Sequence, residues 1–425
     1  MFTMCGVSVS VLSEAPVKPE ADISGIEVPV ILPDALVTDW LQNDPEIAVA
    51  NNAFDAAKAD AAQTAASPYE WNASYTKQQR DYGTGPKSDE WNASMERTIR
   101  LPGKYSADKT ASRAAKTAAC AERNLDMRAA ATHLLDAYLD WQAAHSRKIL
   151  LSEQQQLAQR SFDVVTKRVK SGDASMLEQK LASAELMDIQ RQSGEADIAE
   201  ASTWAQFSSR YPAHSDNLPN LPDPVAISHS ADWWQARITD RNDKLQVSRA
   251  QQQVAQATAD RARADRIPDP TVGIFTGKEA YGDESIVGVS ISMPIPGTHR
   301  SLERQKQLAQ SNRAYQEMVL TERQLNSSAR SVYASAIGHY QHWQLAQGAL
   351  VALRDNIHLE QRAYALGEQD LQALLLAQRQ GLAAAQAEVD ARIDALRSYY
   401  TLLLEAKLLW PTLLEHRATD CATQD

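Results

Sequence analysis

The chain has 425 residues, 44% of them hydrophobic and 23% charged, the balance of a folded protein rather than a disordered one. Its net charge is −11, with no concentrated basic stretch, which excludes a nucleic-acid backbone as partner. No run reaches the roughly 18 to 20 apolar residues of a transmembrane helix.

Residues 1–34 read as an N-terminal tail. MFTMCGVSVSVLSEAPVKPEA makes a poor leader, because its first positive side chain is Lys18 and its apolar stretch is short. Cys5, Cys120 and Cys421 are far apart and form neither a CxxC pair nor a disulfide framework. A first repeat is expected over 35–211. It opens with a helix over Leu36–Ala66, ended by Pro68. Two extended segments follow, each with a period of two. In the first, Tyr69, Trp71, Ala73 and Tyr75 alternate with Glu70, Asn72, Ser74 and Thr76. In the second, Trp91, Ala93, Met95, Ile99 and Leu101 share one side, broken only by Arg97, and Glu90, Asn92, Ser94 and Glu96 share the other. The stretch from Gly83 to Ser88 supplies the turn between them. From Tyr105 to Ser171 there is no Gly or Pro, which predicts a helix of about 95–100 Å at about 1.5 Å per residue. Gly172 turns the chain, and another long helix returns.

Residues 212–230, PAHSDNLPNLPDPVAISHS, form a Pro-rich linker. A second repeat over 231–413 then restates the first. TIRLPGK and SMPIPGT align Pro102 with Pro296 and Gly103 with Gly297; the segments around Gly172 and Gly367 align likewise, and so do NDPEIAVANNAFDAA and the stretch from Asn242, all at an offset close to 195. The second helix is expected over Ala231–Arg266. The second hairpin returns through Val287, Val289, Ile291, Met293 and Ile295 on one face and Ser290 and Ser292 on the other. Residues 414–425 read as a tail. The fold class is therefore mainly α with a small β part: duplicated coiled-coil hairpins capped at one end by four strands per chain. Four strands leave unpaired edges. Three chains giving twelve strands would close a barrel and remove them.

NDPEIAVANNAFDAA, RIPDPTVGIFTGKE and VGVSISMPIPG, set in this duplicated frame, resemble the TolC-type outer-membrane efflux proteins, over about Leu36 to Leu413. PDPTVGIFTGKE followed by ISMPIPG is most similar to the heavy-metal cation branch. The resemblance implies a homotrimer with a twelve-stranded β-barrel in outer-membrane lipid and an α-helical tube (α-barrel) through the periplasm. It also implies a periplasmic adaptor (membrane fusion protein) and an inner-membrane pump of the resistance-nodulation-division type as partners. No enzyme activity and no cofactor is implied; the chain is a passive duct. The strand pattern agrees, apolar toward lipid and polar toward the lumen. Trp71, Trp91, Val287, Val289 and Ile291 are then expected to face lipid, and Asn72 and Asn92 the channel, with the tryptophans in an interfacial girdle. A soluble sheet packed on helices would show the same alternation.

Gly172 and Gly367 are expected at the periplasmic tip, with Asp173, Glu178, Glu368 and Asp370 as rings of carboxylates favouring cations. Acids opening a helix against its dipole give the same pattern. Ala373 and Leu376 stand where some relatives place gating aspartates. His339 and His342 are spaced i, i+3 but lack companion ligands, so no metal site is expected. The sequons at Asn72 and Asn92 are taken as accidental, and the residue before Cys5 is not the small one a lipidation site wants. Two other functions stay open: a duct for drugs or other small organic molecules, and a soluble coiled-coil scaffold or adaptor. Four alternating strands at one end of both repeats have no purpose in a scaffold.

Overall fold

The computed structural model describes residues 25–81, 83–213 and 218–411; Cys5, Cys421 and the C-terminal tail lie outside them. Each half of the chain follows one order: two short helices, two strands, two long helices. The first half is α1 (Asp34–Gln42), α2 (Pro45–Ala65), β1 (Asn72–Arg80), β2 (Ser88–Thr98), α3 (Pro102–Ser171) and α4 (Met176–Arg210). The second is α5 (Ala231–Arg241), α6 (Asp243–Ala264), β3 (Thr271–Glu279), β4 (Glu284–Ser292), α7 (Thr298–Leu366) and α8 (Leu371–Glu405). Helices α3 and α7 run 70 and 69 residues, or roughly 100 Å.

The opening helix of each half, expected to be continuous, is broken in two. Asp44 caps α2 by accepting from the Glu46 amide at 2.8 Å, and Asn242 caps α6 by accepting from the Lys244 amide at 2.9 Å. Side chains of this type draw a local backbone N–H out of the helical ladder, and Pro45 at the first position of α2 enforces the break. Both breaks are anchored. Arg210 donates to Asp44 at 2.7 Å, and Asn242 donates to Glu405 at 3.2 Å. The sequence also showed no disulfide, yet Cys120 on α3 is disulfide-bonded; sequence separation says nothing of spatial approach.

The four strands form one antiparallel sheet in the order β1-β2-β3-β4. Its register fixes the two faces. Ala73↔Met95, Tyr75↔Ala93, Met95↔Ile274 and Ile274↔Val289 are partners on one side. Ser74↔Ser94, Asn72↔Glu96 and Gly273↔Ser290 are partners on the other. The apolar side is left bare among the described residues: Ile274 is 61% exposed, Val289 68% and Val287 83%. A soluble sheet packed on helices would bury that face; this one leaves it bare.

The main core lies about halfway along α3, far from both the sheet and the helix turns. Tyr138 and Trp141 of α3, Phe207 and Tyr211 at the end of α4, Trp40, Trp234 and Tyr400 are almost wholly buried there. Trp40 meets Phe207 edge-on at 5.6 Å, and Trp141 lies 5.1 Å from Trp204, spacings at which aromatic pairs attract. Burial pushes the Tyr138 hydroxyl up to about 12, and it donates to the Pro219 carbonyl at 2.9 Å. Segment 218–230 is tied to the helices in this way. Elsewhere the helices bury only narrow stripes, as long two-helix hairpins must.

Candidate functional site

Two regions carry the sequence-predicted site residues: the sheet and the two helix turns. On the polar side of the sheet Asn72 donates to Glu96 at 3.2 Å, and Ser74 and Ser94 share a hydrogen bond of 2.8 Å. Gln78, Arg80, Glu90, Asn92, Glu279 and Glu284 belong to the same side by register. Among the described strand residues this face holds four glutamates (Glu90, Glu96, Glu279, Glu284) and one arginine, Arg80. Arg80 bridges Glu90 at 3.0 Å and Glu279 at 3.6 Å, so the excess is acidic. Phe275 also points to this side and lies on Gly288, where a Cβ would come within 2.3 Å of the ring. That contact, with Gly273 and Gly277 beside it, lets the inner face crowd as the sheet curves.

The opposite side carries Trp91, Val287, Val289 and Ile291, with Trp71 just ahead of β1. Tyr75 stacks on Trp91 at 6.2 Å, and the Arg97 guanidinium lies 5.6 Å over Trp71. Cations flank the band at both ends. Lys77 and Lys278 pair across Trp91 near the hairpin loops, and Arg97 sits near the helices. The six-residue step from Trp91 to Arg97 spans about 20 Å of strand, close to the apolar band of a membrane barrel.

At the far end of the long helices, Gly172 (φ 84°) and Gly367 (φ 76°) adopt left-handed C-caps. Asp173 N donates to Arg168 O at 2.8 Å and Glu368 N to Ala363 O at 2.9 Å, each closing a Schellman turn. The acids nearby have local partners. Asp173 accepts from the Ser171 hydroxyl at 2.7 Å, Asp370 caps α8 through the Ala373 amide at 2.9 Å, and Glu178 completes a capping box with Ser175. Glu178 also accepts from Tyr364 at 3.3 Å. Burial, helped by Glu178, raises the Tyr364 hydroxyl pKa against the opposing pull of Arg168. Glu368 is exposed, with no side-chain partner among the described residues. No Cβ at either glycine would meet an atom, so replacement costs only backbone strain. Gly367→Ala should therefore lose about 1–2 kcal/mol locally, seen as faster amide exchange in the last turn of α7 with the core unaffected.

Sequence reasoning missed the elbow where strands become helices. Arg100, 8% exposed, donates to Asp108 at 2.8 Å, Asp265 at 2.8 Å and Asp269 at 3.0 Å. Lys104 reaches Asp269 at 3.1 Å, Arg261 reaches Asp108 at 2.6 Å, and the Leu101 amide and Tyr69 hydroxyl both donate to Asp269. The PDP of RIPDP was the visible signal, an acid held between two prolines just ahead of a strand. His339 and His342 form no pair: His339 Nδ1 meets the Ser398 hydroxyl and His342 is exposed. Among the described residues no group of three His, Cys, Asp or Glu could hold a metal, and no helix is long and apolar enough to cross a membrane.

Residues 36–206 match the outer membrane efflux protein family. No curated protein matches the chain by sequence. Solved structures match nearly all of it. The Campylobacter jejuni CmeC outer membrane channel superposes with a TM-score of 0.73 at 15% identity, covering 92% of this chain and 88% of that one. The Vibrio cholerae outer membrane protein VceC gives 0.70 at 18%, with 88% and 95% covered. CusC, described as forming a transmembrane channel, gives 0.69 at 16%, with 88% and 91% covered. The family match over residues 36–206, the fold shared over nearly the whole chain and the doubled α-α-β-β-α-α frame agree: the chain has the fold of the outer-membrane channels, and its residues 36–206 carry the sequence pattern of the outer membrane efflux protein family.

Proposed function

We propose that the chain is the outer-membrane duct of a tripartite exporter, assembled as a homotrimer, whose cargo is heavy-metal cations. The observation that carries the cargo is the polar face of the sheet, with four glutamates against one arginine. The sheet also has two free edges, β1 and β4, which run in opposite directions. Edge β4 of one copy can therefore pair antiparallel with β1 of the next, and three copies close a twelve-stranded barrel with no edge left. In that barrel the bare apolar face meets lipid and the acidic face lines the lumen. A lumen of that sign concentrates cations and repels anions.

The helical tube would extend into the periplasm and meet an adaptor and an inner-membrane pump at the end marked by Gly172 and Gly367. Among the described residues no metal-binding cluster is present, so metal selection belongs to the pump, with the duct supplying only a favourable field. The similarity to CusC and the PDPTVGIFTGKE motif support the metal branch; CmeC and VceC share the fold equally well.

Purified protein added to a planar bilayer should give stable conducting trimers that pass cations over anions. Anion preference would remove the cargo reading, and the absence of conductance from folded trimers would remove the duct itself. Loss of the gene should sensitise cells to metal salts; sensitisation to organic drugs alone would assign the other cargo.

A further inference from the structure

At the helix end of the apolar face there is a notch of about 540 Å³, lined by Trp71, Met95, Arg97, Ile99, Tyr105 and Ile274 among others. Its volume lies in the range of about 300–1,000 Å³ typical of small-molecule sites. Trp71 is 58% exposed, and Met95, Ile99, Tyr105 and Ile274 are also exposed, so the trough is lined by apolar side chains that none of the described residues covers. Barrel closure does not cover it either. Closure uses the sheet edges, whereas the notch sits on the outward surface of β2 and β3 and the start of α3.

Two arginines line the notch: Arg100 is taken up by Asp108, Asp265 and Asp269, whereas Arg97 stands among the apolar side chains with its guanidinium fixed. Its Nε donates to the Tyr69 carbonyl at 3.2 Å and its plane lies over Trp71. Among the described residues no carboxylate or carbonyl takes the Nη groups, which leaves a fork of donors facing the rim of the trough. A further cation stands close by, Lys109, with its ammonium 4.6 Å from the Tyr105 ring. An apolar trough with a held guanidinium at its mouth matches an amphiphile whose head is a phosphate ester.

We propose that this notch binds one phospholipid per protomer from the periplasmic leaflet, its phosphate on Arg97 and an acyl chain along Met95, Ile99 and Ile274. The assignment rests on the membrane-duct reading, which places this end of the apolar band at the inner leaflet's headgroups. Arginine and tryptophan at that depth suit the boundary between acyl chain and headgroup. A bound lipid here would fix the height at which the barrel sits, next to the elbow joining strands to helices.

Native mass spectrometry of detergent-extracted trimers, titrated with phosphatidylglycerol, phosphatidylethanolamine or diacylglycerol, tests this. Wild type should take up to three phospholipids of either kind and no diacylglycerol. R97Q should weaken phospholipid uptake about tenfold, the loss of one charged contact, and R97K should recover part of it. K278Q, at the opposite edge of the band, should bind as wild type does. Equal uptake by R97Q and wild type would overturn the site, as would equal binding of diacylglycerol or a matching loss in K278Q. Trimer mass in the same spectra shows whether each variant assembles. If wild type conducts in bilayers while R97Q keeps its lipid, the notch fails and the duct stands; a wild-type chain that never enters bilayers overturns both.

Discussion

Asp269→Ala should destabilise the folded chain by about 3–5 kcal/mol, the usual cost of breaking a buried ion pair from one side. The carboxylate is almost fully buried and accepts from Arg100, Lys104, Tyr69 and the Leu101 amide. Its removal strands Arg100 and Lys104, 8% and 3% exposed, with Asp265 and Asp108 as the remaining acids. It also frees the amide that opens α3. Because Asp269 precedes β3 and Leu101 follows β2, the loss falls on the joint that sets strand direction relative to the helices. The melting temperature of the purified protein should drop, and with it, for the proposed trimeric duct, the fraction assembled in membranes. Asp269→Asn should fall between, since its oxygen still accepts from Leu101 but its charge is gone. Neutralising Glu317, an exposed partner of Arg313 on α7, should change neither measurement. The pH dependence has a definite sign. Burial raises the Asp269 pKa, but the Leu101 amide, Lys104 and Arg100 outweigh it and hold the carboxyl below its usual value. A depressed pKa means the stabilisation is fully present above the ordinary carboxylate range and disappears as pH falls through the lowered value. Wild type should thus begin to lose this contribution as pH falls into that range and lack it below the lowered value, whereas Asp269→Asn should lack it already at neutral pH. If Asp269→Ala assembles and melts like wild type, the elbow cluster is not what joins the two layers.

Much of this architecture was legible because it is periodic. Alternation over Tyr69–Thr76 and Glu90–Leu101 gives the two faces directly, since a strand has no other way to present side chains. The absence of Gly and Pro from Tyr105 to Ser171 gives the long helix, and Gly172 and Gly367 give its end, because a left-handed C-cap favours glycine. What stayed hidden depends on contacts between distant segments. Asn43–Asp44 and Asn242 break their helices only because a cap competes with the ladder and Arg210 and Glu405 reward it from elsewhere in the chain. The elbow cluster is likewise invisible in one dimension: Arg100 meets Asp265 and Asp269 across more than 160 positions. The acids beside the turn glycines read equally as pore rings and as helix caps. Ser175–Glu178 and Asp370–Ala373 make capping contacts within a single protomer, a geometry no spacing could separate from the pore reading.

If the proposed duct is right, neutralising the polar face of the sheet should change ion selectivity more than any comparable change on the apolar face. The double variant Glu96→Gln, Glu284→Gln removes two of the four glutamates per protomer and leaves the Arg80–Glu90 pair intact. Neither residue carries an ion pair among the described contacts, so folding should survive, and the Asn72 amide, which donates to Glu96, can still donate to the carboxamide oxygen that replaces the carboxylate there. Fields in charged clefts amount to several kT. If the variant makes the lumen potential less negative by about one kT per unit charge, cation occupancy falls and anion occupancy rises by about 2.7-fold each. The cation-to-anion permeability ratio should then drop about sevenfold. The shift must also depend on salt. At about 0.01 M the Debye length is near 30 Å and the ring acts across the whole lumen, whereas at about 1 M it is near 3 Å and selectivity should be nearly that of wild type. Reversal potentials in bilayers at the two salt concentrations measure both effects. A ratio unmoved at low salt would shift the filter away from the barrel to the helical tip. There Glu368 is the acid without a side-chain partner among the described residues, and a salt-insensitive loss of selectivity in Glu368→Gln would mark a constriction narrow enough to act inside the Debye length.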